Sequence, residues 1–170
     1  MTQRYHRRSV IVAGFVAVAG CLGDDENDDD SEQSGRQGPT LGDLELDSSF
    51  PMTLEDPETG EQLADVHYHD DGGSHWHHQP MEVPLGEERT YVVVIYNADI
   101  ERVIVADDPD LELRYLEDEE SPDVVTANID GNELTVVGES VGEAEPRLEL
   151  RGPDESWITP TMIIAVDEAD

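Results

Sequence analysis

The chain of 170 residues has no lysine and only one cysteine. One cysteine cannot close a disulfide within the chain, nor can it furnish the several thiolates of a structural zinc site. Positive charge is scarce: nine arginines stand against 42 acidic residues, for a formal net charge of −33. Phosphate binding requires a basic patch, so nucleic acid is excluded as a partner, and adhesion to anionic lipid by surface charge is disfavoured. Long apolar runs are missing too. The longest, VIVAGFVAVAG at 10–20, has eleven residues, whereas a membrane-spanning helix needs roughly 20. Beyond it no stretch of useful length carries a helical period.

What is present begins with an address. Arg4, Arg7 and Arg8 precede the apolar run, which ends in Val18-Ala19-Gly20-Cys21. This order is that of an export signal occupying residues 1–20. The last four residues resemble the lipobox of secreted lipoproteins. The resemblance implies cleavage before Cys21, a lipid on its thiol and an extracytoplasmic chain anchored to the cell membrane. Arg7-Arg8 followed by Ser9-Val10-Ile11 also resembles a twin-arginine export signal, without the Phe-Leu of the fuller pattern, so the twin-arginine and general routes both stay open. With Cys21 committed to an anchor, no thiolate remains for a blue-copper centre.

Past residue 20, six arginines face all 42 carboxylates, a formal −36. In molar salt the Debye length falls to roughly 3 Å and such repulsion is mostly screened. A lysine-free, carboxylate-covered surface resembles the exported proteins of extremely halophilic archaea. Against that background a pair of carboxylates says nothing about acid–base chemistry.

Residues 21–43 are nearly devoid of apolar side chains and read as a lipidated, acidic, disordered tether. From Leu44 onward the pattern is strand and turn. Segments 44–84 form a histidine-rich β-hairpin and 85–170 a β-sandwich, the two expected to fold as one unit. Strands are expected at 90–98, 102–106, 111–117, 123–129, 132–138, 145–151 and 157–166, with Asp130-Gly131 as a hairpin turn. The runs VPLGEERTYVVVIYNAD (83–99) and GNELTVVGESVGEAEPRLELR (131–151) resemble bacterial immunoglobulin-like domains of secreted proteins. The fold class is therefore all-β: an immunoglobulin-like β-sandwich preceded by a β-hairpin extension.

Five of the six histidines, His67, His69, His75, His77 and His78, lie in the run HYHDDGGSHWHH. Residues two apart on a strand share a face. If 61–69 and 75–83 are strands joined by the loop 70–74, His69 faces His75 and His67 faces His77, and four imidazoles converge. A one-residue slip still leaves three together. Without a thiolate, such a set suits zinc or copper, with Ni²⁺ also chemically possible. Asp65, Asp70, Asp71 and Glu82 are candidates to complete the shell or orient the rings, and Met81 is a softer contact for copper or a core gap-filler. Solvated histidines on an exposed turn, over Tyr68 and Trp76, are the plain alternative; a pH-sensing cluster is another. His75-Trp76-His77, followed by Pro80 and Val83-Pro84-Leu85-Gly86, is similar to secreted prokaryotic proteins that carry an HWH-type motif before an immunoglobulin-like domain.

These readings converge on a cell-surface lipoprotein that binds zinc or copper for capture or delivery. Its partners would be the membrane, through the lipid, and a metal transporter or surface-layer protein. A structural or adhesive surface domain is the main rival. No residue is placed as a catalytic base, so an enzyme is not expected, a metallohydrolase being the form one would take.

Overall fold

The computed structural model describes residues 37–69, 73–117, 119–120 and 123–168. The expectations for the signal segment, for Cys21 and for the tether as far as residue 36 lie outside them, as do Asp70 and Asp71. The first strands along the chain are β1 (Thr40–Leu41), β2 (Leu44–Glu45), β3 (Met52–Glu55), β4 (Gln62–Tyr68) and β5 (Ser74–His77). Next come β6 (Met81–Pro84), β7 (Glu88–Tyr96), β8 (Arg102–Val103), β9 (Glu112–Leu116) and β10 (Val125–Asp130). The last are β11 (Glu133–Gly138), β12 (Gly142–Ala144), β13 (Arg147–Arg151), β14 (Ser156–Ile158) and β15 (Ile164–Asp167). One turn of 3-10 helix, Val105–Asp107, is the sole helical element among the described residues.

The largest sheet has seven strands in the order β10-β11-β7-β3-β4-β5, with β8 continuing the β11 side of β7. Two three-stranded sheets, β12-β15-β6 and β14-β13-β9, supply the remaining apolar faces. Alternation explains the core. Leu54, Val66, Trp76, Tyr91, Val93, Ile95, Leu134 and Val136 come from the large sheet, and Val83, Leu113, Leu148, Leu150, Ile164 and Val166 from the smaller ones, all buried in one cluster. The all-β sandwich expected from the sequence is what the structure shows. The hairpin that precedes β7 in sequence extends its sheet directly, because β3 pairs along the whole of its length with β7.

Several expected boundaries shift. Leu41 is buried in the core and β1 pairs with β2, so the folded part starts ahead of Leu44 and includes residues assigned to the tether. The expected strand 102–106 stops at Val103, where the Asn132 side chain accepts the Val105 amide and the chain turns into the 3-10 helix. The run 157–166 is two strands in two sheets, split at Thr159-Pro160. Proline offers no N–H to a ladder, and Thr159 turns its hydroxyl to the Leu148 amide instead. Likewise 75–83 is not one strand. His78 takes φ 63, which ends β5, and β6 then pairs in parallel with β15 in a different sheet.

Candidate metal centre

The histidines sit on the last strand pair of the large sheet. In the observed register Asp65 faces His77, Val66 faces Trp76, His67 faces His75 and Tyr68 faces Ser74. This is a two-residue shift from the expected pairing of His67 with His77 and His69 with His75. Because side chains alternate with period two, a shift of two leaves every residue on its original face. Trp76 fixes β5: it is buried, packs in the same core cluster as Val66, and its indole N–H donates to the Pro160 carbonyl at 2.9 Å. Its neighbours His75 and His77 are thereby turned to the opposite, outer face.

On that face the rings crowd. His67 lies with its centroid 4.6 Å from His69, 6.1 Å from His75 and 4.9 Å from His77, and His75 is 4.6 Å from His77. One ring nitrogen each of His67, His75 and His77 falls within 4.8 Å of the other two. Nitrogens about 2.0–2.1 Å from a shared zinc stand roughly 3–4 Å apart, so small ring rotations close the set on one ion.

Neighbouring polar groups approach two of the rings. Asp65, buried on the face of β4, places Oδ2 3.1 Å from His77 Nδ1 without hydrogen-bond geometry, while its Oδ1 accepts from the Gln62 side chain at 2.9 Å. His69 Nε2 and His75 Nδ1 share a hydrogen bond of 2.9 Å. Both contacts are made at Nδ1. A carboxylate or second imidazole behind a ligand ring fixes its tautomer and raises its basicity. His67 differs: its Nδ1 is buried with no hydrogen-bond partner, and Phe50 stacks on the ring at 4.7 Å and 9°. Burial, followed by the neighbouring charges of His69, His77 and His75, holds the His67 pKa below its ordinary value of 6.5, with Asp65 opposing. The shift favours the neutral ring, the form that a metal takes.

Of the five expected ligands, three converge. His69 stands beside His75 and shares a hydrogen bond with it. His78 departs: its positive φ turns it off the strand, it is exposed, and it lines a separate cavity with Pro80 and Met81. Met81 is a buried core residue there, and Glu82 lies on β6 in another sheet, so neither belongs to the centre. Asp65, expected either to complete the shell or to orient the rings, lies beside His77. Phe50 was not foreseen. It lies outside the strands, where Asp47 Oδ1 accepts the Ser49 and Phe50 amides at 2.9 and 2.5 Å, and Ser49-Phe50-Pro51 carries no periodic signal. What the triad offers is three ring nitrogens brought together on the outer face, a set that could hold a metal ion.

No family model matches the chain, and no curated protein does. Among solved structures, domains 4 and 5 of the S-layer protein SbsC are similar over 71% of this chain and 77% of that one, at 11% identity and a TM-score of 0.37. A likeness at that level carries no argument about what this chain does.

Proposed function

We propose that this protein is an extracytoplasmic lipoprotein that captures or delivers zinc or copper through His67, His75 and His77. The observation that carries the reading is the convergence of three ring nitrogens within 4.8 Å, with a buried carboxylate behind one of them. The buried, unpartnered Nδ1 of His67 adds support, since burial without a partner costs free energy that an ion would return. Anchorage through Cys21, work in high salt and a membrane metal transporter or surface-layer protein as partner complete the proposal, supported by the lipobox-like segment and the lysine-free surface.

Three protein ligands and an open position are also the pattern of catalytic zinc, which favours a metallohydrolase as second reading. The carboxylate at the triad is buried and one of its oxygens is taken by Gln62, so the carrier reading is preferred. A titration of the untagged chain in molar KCl, with bound metal counted by elemental analysis, decides the matter. One equivalent held at sub-micromolar Kd supports the centre. Binding no tighter than millimolar sinks it and leaves a structural or adhesive surface domain.

A further inference from the structure

Among the described carboxylates only Glu55 and Asp65 are buried, at 7% and 2% exposure. Glu55 has a counter-charge: the Arg102 guanidinium donates to its Oε1 at 2.7 Å. Asp65 has no such partner among the described arginines. Its Oδ1 accepts from the Gln62 amide, a neutral donor, and its Oδ2 is buried with no hydrogen-bond partner at all. Thr53, opposite Asp65 in the strand pair, has a buried hydroxyl in the same condition, but a hydroxyl carries no charge to set against a carboxylate. The third buried side-chain atom without a partner among the described residues is His67 Nδ1, two residues further along the same face of β4. Unmet polar burial is therefore gathered at one patch beside the triad. A buried charge with nothing to offset it is strongly destabilising, and asparagine would keep the Gln62 bond without that cost.

On the reading of the triad as a metal centre, we infer that Asp65 is the counter-charge of the bound ion, and that the cargo is a divalent cation, zinc or copper(II), selected over copper(I). His77 is the group nearest to Asp65 Oδ2, at 3.1 Å, but the contact lacks hydrogen-bond geometry. A ring that ligates a metal is also neutral, so in the loaded protein the ion alone brings positive charge to this carboxylate. Imidazoles supply no charge of their own, and the soft sulfur ligands that select copper(I) are missing from the centre, Met81 being in the core. The carboxylate then decides. Its attraction scales with the charge of the ion, so at one distance a dication gains twice what a monocation does. Burial keeps that attraction from being screened by salt, unlike the charges of the exposed surface. Asp65 is thus a specificity-determining residue that acts by charge, whether or not it touches the ion.

The probes are Zn²⁺ and Ag⁺, the latter a monovalent substitute for copper(I), titrated into the untagged full chain in molar potassium nitrate, where silver stays soluble. Asp65→Asn is expected to weaken Zn²⁺ about 100-fold and Ag⁺ about tenfold, the twofold difference on a logarithmic scale that charge dictates. His69→Ala, which removes a neutral neighbour of His75, should weaken both ions by one common factor. The metal-free Asp65→Asn chain should melt no lower than the parent, since the buried charge is gone and an amide oxygen still accepts from Gln62. Equal losses of Zn²⁺ and Ag⁺ in Asp65→Asn, Zn²⁺ binding unmoved by it, or a metal-free variant melting below the parent would each overturn the assignment. A parent chain that holds neither ion tighter than millimolar would remove the triad as a metal centre and this inference with it. Tight Zn²⁺ binding by the parent with equal losses in the variant would overturn the inference alone.

Discussion

Replacing His67, His75 or His77 by alanine removes one of three ligand nitrogens and is expected to weaken zinc binding about a hundredfold or more, read by competition titration. His69→Ala and Asp65→Asn should each weaken it about 10- to 100-fold, since they stand beside His75 and His77. His78→Ala should change it less than twofold. Equal losses at all five histidines would mean a diffuse imidazole patch rather than a centre. Asp56 makes a separate prediction about pH. The amide and hydroxyl of Thr59 and then the amide of Glu58 hold its carboxyl below the ordinary 3.8. A depressed folded pKa contributes stability above the unfolded value and loses it as pH falls through the folded one. Asp56→Ala should therefore melt below the parent at neutral pH, with the gap closing once the pH drops under 3.8; a gap constant with pH would refute the link.

Among the elements, β5 is the terminal strand of the large sheet, bonded to β4 on one side, and Trp76 is what seats it. Trp76→Ala should cost about 3–5 kcal/mol in denaturant unfolding and lower zinc affinity with it, although the residue touches no ion. Trp76→Phe should keep most of the burial and lose only the bond to the Pro160 carbonyl. Strand alternation made this face readable beforehand. His67, His75, His77 and Asp65 share it in any register displaced by two, which is why the set could be named although the pairing was displaced. The exit of His78 could not be read, because a single left-handed residue leaves no mark on a run of histidines. Nor could the place of Phe50, which depends on a turn that Asp47 closes. Likewise the sandwich follows from apolar alternation, whereas the partition of β6 and β15 into a sheet of their own depends on pairing across some eighty residues.

At the scale of the whole molecule, charge dominates. With 42 acidic residues against nine arginines, stability should climb steadily between dilute buffer and molar KCl, measured as melting temperature. A flat response would show that the carboxylates repel one another too little to matter. Topology adds a matter of timing. The wall behind the histidine strand comes from the far end of the chain: the Pro160 carbonyl receives Trp76, the Gln79 side chain accepts the Ile163 amide at 2.8 Å, and β15 flanks β6. Contacts so distant in sequence form late. A growing chain exposes its imidazoles long before it has the wall that seats them, so the triad takes its final arrangement only once the segment through Asp167 has been made.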